Sequence, residues 1–245
     1  MGGVDAFNSW RKKVIPPSPI LVLDESMSSW KPRSTKTGGL SHLSYIPRKP
    51  NPFGTEFKVV ADGAIDVFCG IEIQEGKKSM RNLPYVRQFG AICACTLRLL
   101  ELCKESPVHY RVNSAEDEID WLKLKRQLVI GDSWFSSVQT CVKVAKGGKF
   151  IYIKFLHTMQ QVSDTVLWFY CTYTTLKGRH YIGIVKQSHS LFPKDWLGEQ
   201  LLDKLTGSKL VLTGKFEGIP LVALAWKFDN TNTHYIIMTH GAGST

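Results

Sequence analysis

The sequence predicts a mixed α/β fold, and three observations carry that expectation. Short, fully apolar runs such as Ile20-Leu21-Val22-Leu23 and Leu128-Val129-Ile130 have the length and composition of buried strands. Between them lie stretches with helical spacing, at residues 90–103 and from Ser133 to Ala145. The last third alternates short apolar runs with turn residues, as an antiparallel sheet does.

Taken in order, residues 1–19 read as an extended lead-in, because Pro16, Pro17 and Pro19 bias their predecessors away from helix. Ile20–Leu23 is the first strand, ending on Asp24 and Glu25. Residues 26–54 are loop-like and basic. Glu56–Ala61 and Val67–Ile73 are two further strands, and Asp62-Gly63 suits a tight hairpin turn between them. Ile92, Cys95, Leu99, Leu102 and Cys103 mark a helix over residues 90–103. Residues 105–125 are polar and acidic, as an exposed insertion is. Leu128–Gly131 is a strand that delivers Asp132, and Ser133–Ala145 is a helix. Residues 148–178 are apolar without a clear period. Tyr181–Val185, Lys209–Phe216, Pro220–Phe228 and Tyr235–Met238 are strands.

Composition narrows the partners. The 245 residues carry 31 Lys+Arg against 21 Asp+Glu, a net charge of +10, and 43% are hydrophobic. A core of ordinary size is therefore available, and the excess charge favours nucleic acid or another polyanion. The first sixty residues hold nine Lys/Arg against four Asp/Glu, half of the whole excess. No uncharged apolar stretch is long enough to span a membrane, and Arg11, Lys12 and Lys13 interrupt any signal core. Six scattered cysteines form neither a disulfide framework nor a zinc spacing, which suits a reducing, intracellular compartment.

Two strands each present an aspartate at or just past their C-terminal ends, Asp24 and Asp132. In α/β sheets that edge gathers ligands and catalytic groups. Converging carboxylates repel, and a divalent cation relieves the repulsion; Mg²⁺ accepts one or two carboxylates with phosphate oxygens and waters. The plainer alternative for Asp132 is the N-cap of the helix after it. Lys31, Arg33, Lys36, Arg48, Lys49 and Lys58 lie near the first acid, interleaved with Trp30, His42 and Tyr45. They suit phosphate contact, which is independent of sequence and sensitive to salt, or an ordinary solvated surface.

At this point a resemblance becomes specific. Leu23-Asp24-Glu25-Ser26-Met27, then Tyr45-Ile46-Pro47-Arg48-Lys49-Pro50-Asn51-Pro52-Phe53-Gly54 leading into Lys58, resembles piggyBac-type transposases. Gly131-Asp132-Ser133-Trp134-Phe135-Ser136-Ser137 is similar to that family's second catalytic block. Cys95–Leu99 and His189–Pro193 resemble further parts of such proteins. The resemblance implies an RNase H-like mixed sheet with flanking helices, plus the start of a β-rich insertion domain. Its boundaries are an extended lead-in at 1–19, a catalytic core at 20–190 with irregular insertions near 105–127 and 148–178, and a partial insertion domain at 191–245. It implies a DDE/DDD triad working on DNA with two Mg²⁺, Asp24 and Asp132 being the first two carboxylates and metal ligands. The family's third aspartate, on a helix beyond the insertion domain, has no match, so the chain alone is expected to be impaired in cleavage. DNA is the implied partner, self-association is possible and no membrane is involved; the family places such a protein in the nucleus. Two other readings stand beside it: a transposase-derived DNA-binding protein without catalysis, and an unrelated Mg²⁺-dependent nuclease of RNase H-like fold.

Overall fold

The computed structural model describes residues 2–33, 42–47, 49–103, 127–147, 179–186, 189 and 191–240. The chain divides into two compact units, Met1–Lys123 and Leu124–Thr245. The expected insertion at 105–125 and the irregular stretch at 148–178 lie outside the described residues.

In the first unit, β3 (Phe53–Asp62) is the spine. β1 (Ile20–Ser29) runs antiparallel along one edge, from Leu21 opposite Asp62 to Ser29 opposite Gly54. β2 (Ser44–Tyr45) and β4 (Val67–Ile73) pair antiparallel with the other edge. Leu21 and Leu23 alternate into the core of β1. The successive residues Val59 and Val60 are both buried, so β3 is covered on both faces. A bulge between Val60 and Ala61 leaves Cys69 as the extra residue of β4.

β1 runs five residues beyond Asp24, which therefore lies mid-strand and not at a strand end. The polar residues 24–29 stay extended because β3 supplies their ladder partners. The turn between β3 and β4 is also longer than two residues. The Asp62 carboxylate organises it, with Oδ1 accepting from the amides of Ala64 (2.9 Å) and Ile65 (3.2 Å). Oδ2 accepts from Ser18 N–H at 2.5 Å and so anchors the lead-in.

That lead-in is extended only after Val14. Residues Gly3–Val14 form helix α1, with Asp5 in its first turn and Arg11, Lys12 and Lys13 in its last. The prolines restrict only the residues next to them, and the charges complement the helix dipole. α1 closes the free edge of β4: Asn8 donates to Ile71 O (2.8 Å) and accepts from Ile71 N–H (2.9 Å). After the single turn α2 (Lys77–Met80) comes α3 (Val86–Glu101), kinked at Gly90, whose φ of 74° suits glycine. Glu72 on β4 forms a bidentate pair with Arg98 of α3, at 2.7 and 2.8 Å.

The second unit holds a five-stranded mixed sheet. β5 (Leu128–Gly131) pairs in parallel with β6 (His180–Ile184). β6 pairs antiparallel with β9 (Thr233–Thr239), β9 with β8 (Ile219–Lys227), and β8 with β7 (Lys209–Phe216). The residues assigned from sequence to a separate β-rich insertion domain thus extend the sheet that begins with β5 and β6. Alternation of apolar residues predicts a strand but not its neighbour. α4 (Val138–Ala145) packs on β6 and β9, and α5 (Lys194–Leu201) on β7 and β8. The face bearing Tyr181, Ile237 and Ala225 is buried.

Candidate functional site

Asp24 sits on β1 opposite Val59 of β3. Its neighbour Leu23 is buried, so alternation turns the Asp24 side chain outward, where it is exposed. Oδ1 accepts the Glu25 amide at 2.7 Å. Oδ2 has no hydrogen-bond partner among the described residues.

Asp132 follows β5 directly. Oδ1 accepts the amides of Trp134 (3.0 Å) and Phe135 (3.3 Å), which folds residues 132–135 into a turn. The N-cap alternative is thereby corrected: Ser137 caps α4, its Oγ accepting from Thr140 N–H at 3.0 Å. Asp132 caps only the turn, and its Oδ2, like that of Asp24, has no partner among the described residues. Below the turn, Ser136 Oγ lies 2.7 Å from Asp132 O and 3.0 Å from the Tyr181 hydroxyl.

The basic residues separate into different roles. Lys58 is buried, with Nζ 3.0 Å from Glu25 Oε2 and 2.7 Å from Glu56 Oε1. It faces Glu25 directly across the β1–β3 ladder. A phosphate role for Lys58 is corrected on that ground: two carboxylates already take its charge. Lys31 and Arg33 are exposed and Lys49 half-buried; Lys36 and Arg48 lie outside the described residues. Lys31 Nζ stands 5.3 Å from the centroid of Phe53, within cation–π range. Phe53 packs against Tyr45 with centroids 4.7 Å apart, and these rings are 36% and 59% exposed. Ser29, Trp30, Lys31, Pro50, Asn51, Pro52 and Phe53 line a cavity of about 400 Å³. Trp30 Nε1–H donates to Thr55 Oγ1 at 2.8 Å and fixes one wall.

Other candidates have structural explanations. The five described cysteines are buried. Burial pushes the Cys95 and Cys141 thiols up, away from the thiolate a metal needs. Asp62 and Glu72 are engaged in the turn and the Arg98 pair. His189 has its imidazole pushed down by burial and by Lys186; Ser188 and Ser190 lie outside the described residues. Among the described residues no group of three His, Cys, Asp or Glu is gathered to hold a metal, and no helix is long and apolar enough to cross a membrane.

Comparison with known proteins follows the same residues. A family model described as Transposase IS4 matches residues 3–114, which include Asp24 and the basic loop. A solved piggyBac transposase, in a synaptic complex with hairpin DNA, has a similar fold with a TM-score of 0.63 and 14% identity. The likeness covers 98% of this chain and 36% of that one. The family model bears on the first part of the chain, and the solved structure on the fold of the whole. The mixed sheet with flanking helices is a fold shared with that transposase, of which this chain spans just over a third. No curated protein matches.

Sequence reading missed Phe53 as part of the basic loop, although it stood inside the quoted Pro47–Lys58 block. It also missed Ser136 as a partner of the Asp132 carbonyl and Tyr181 as a partner of Ser136. The only signal was a hydroxyl residue four positions after Asp132, on a turn whose amides already face back toward it.

Proposed function

We propose that this chain is a transposase-derived catalytic-core segment. It binds DNA and supplies two carboxylates, Asp24 and Asp132, to Mg²⁺-dependent strand cleavage and transfer. The observation that carries the reading is shared by both acids. In each, Oδ1 is tied to main-chain amides while Oδ2 is left without a partner among the described residues. A carboxylate held this way has a fixed direction and a free lone pair, which suits a hard cation with oxygen ligands. Bound Mg²⁺ supplies polarisation of the phosphodiester and activation of the attacking oxygen. Lys31, Arg33, Lys36, Arg48 and Lys49 serve the DNA backbone, neutralising phosphates at a cost in salt sensitivity. The solved transposase of similar fold is in a complex with hairpin DNA, which supports DNA as partner here.

A second reading, DNA binding without cleavage, is favoured by one observation. Lys31 stands over Phe53 and Phe53 packs on Tyr45, an exposed basic and aromatic surface that meets DNA without either carboxylate. One experiment separates them. Supercoiled plasmid is incubated with Mg²⁺ and the parent, Asp24→Asn or Asp132→Asn protein, while anisotropy follows binding to a labelled duplex. Nicking by the parent that both variants lose, with binding retained, supports catalysis. Binding without nicking by the parent supports the second reading, and absence of any salt-dependent binding contradicts both. On the transposase reading the chain acts in the nucleus, and self-association on DNA is open to sedimentation; a tagged chain excluded from the nucleus would contradict the first of these.

A further inference from the structure

A buried pair of hydroxyls lies directly beneath Asp132, and its arrangement depends on two glycines. Gly131 ends β5, and Gly183 stands opposite it in register on β6. A Cβ on Gly183 would overlap Ser136 Oγ, and one on Gly131 would overlap the Tyr181 hydroxyl. The absent side chains therefore make the room that the two hydroxyls fill. Ser136 and Tyr181 are both fully buried.

Ser136 has one proton to give. Asp132 O, at 2.7 Å, is nearer than Gly131 O, at 3.2 Å, so the hydroxyl donates to Asp132 O. Its own oxygen then accepts from the Tyr181 hydroxyl at 3.0 Å. The same Asp132 carbonyl also receives the amides of Phe135 (3.2 Å) and Ser136 (3.1 Å). Buried hydroxyls are costly unless fully satisfied, and an apolar pair would fill comparable space without that risk.

We propose that Ser136 and Tyr181 are positioning residues for the Asp132 carboxylate. The chain from Tyr181 to Ser136 to the Asp132 carbonyl fixes the backbone of Asp132. With the backbone fixed, Oδ1 stays on the amides of Trp134 and Phe135, and Oδ2 keeps one direction. This inference rests on the reading of Asp132 as a metal-holding carboxylate. Outer partners that orient a metal ligand are worth roughly 10–100-fold in metal affinity.

The test measures Mn²⁺ binding to the full chain by the loss of the free-ion EPR signal, with thermal unfolding in parallel. Tyr181→Phe keeps the ring and removes one oxygen; Ser136→Ala removes the link itself. Ile219→Val, a mild core change on β8 of the same unit, controls for lost stability. The proposal expects Asp132→Asn to abolish site-specific Mn²⁺ binding. It expects Tyr181→Phe and Ser136→Ala to raise the Kd about tenfold, while Ile219→Val leaves it at the parent value. Asp132-dependent binding that Tyr181→Phe and Ser136→Ala leave unchanged overturns the positioning role and spares the metal reading. Binding indifferent to Asp132→Asn overturns the metal reading and this inference with it.

Discussion

Replacing Lys58 by methionine separates a structural lysine from a DNA-contacting one. Methionine keeps most of the apolar stem, so little cavity is opened and the change is chiefly loss of charge. In the parent, Nζ stands 3.0 Å from Glu25 and 2.7 Å from Glu56, and the lysine side chain is 1% exposed. Removing one member of a buried ion pair costs about 3–5 kcal/mol, because the partner charge is left uncompensated. The two glutamates retain some contact with water, at 10% and 18% exposure, and recover part of that cost. The expected loss is therefore about 2–3 kcal/mol. In a unit of this size that is a fall in Tm of roughly 6–10 °C. The assay pairs thermal unfolding with DNA affinity across a salt series. Lys58→Met is expected to lower Tm and leave the salt slope alone, whereas Lys31→Ala reduces the slope by about one contact and leaves Tm alone. An unchanged Tm with a reduced slope for Lys58→Met would refute the burial argument.

Three further outcomes follow from particular contacts. Burial raises the Glu217 carboxyl, but hydrogen bonds from Lys143 and Lys146, both at 2.7 Å, outweigh it and hold the group below its usual value. A depressed folded pKa means stability that is present above the unfolded value near 4.5 and lost as pH falls through the folded one. The parent should therefore lose stability below about pH 4.5 more steeply than Glu217→Gln, as urea midpoints across pH would show. Asn8→Leu leaves the Ile71 amide and carbonyl on the edge of β4 without their partners and should cost about 2 kcal/mol, read by chemical denaturation with hydrogen exchange at Ile71. Gly183→Ala drives a methyl into Ser136 Oγ and the Gly131 carbonyl. It should cost about 1–3 kcal/mol by thermal unfolding, and a neutral result would contradict the packing beneath Asp132.

The parts of this molecule that were legible in the sequence were those set by local pattern. The apolar runs at Ile20–Leu23 and Leu128–Gly131 are strands, and each leads into its aspartate, Asp24 within β1 and Asp132 directly after β5. The helix around Cys95 and Leu99 is present; it begins earlier, at Val86, and its kink at Gly90 falls where the helical spacing begins. The misreadings arose where a distant partner decides. β1 continues through Asp24–Ser29 because β3 pairs with it, and β3 lies across a long loop. Lys58 looked like one more basic residue, but its cross-strand partner Glu25 is 33 positions away. α1 was hidden by the prolines that follow it. Tyr181 read as an ordinary strand aromatic, because its hydroxyl meets Ser136 only through the parallel pairing of β5 and β6 across 45 residues. The strands β7–β9 were each visible, but not the sheet they join.

The central proposal is that Asp24 and Asp132 are metal-holding carboxylates, and local radical footprinting tests it most directly. Fe²⁺ replaces Mg²⁺, ascorbate is added, and the hydroxyl radicals formed at the metal cut the polypeptide nearby. The account predicts two clusters of cuts, one around Asp24 and one around Asp132. Both should vanish with excess Mg²⁺, the first should be lost in Asp24→Asn and the second in Asp132→Asn. Cuts confined elsewhere, or a cluster that persists when its own aspartate is replaced, would contradict it.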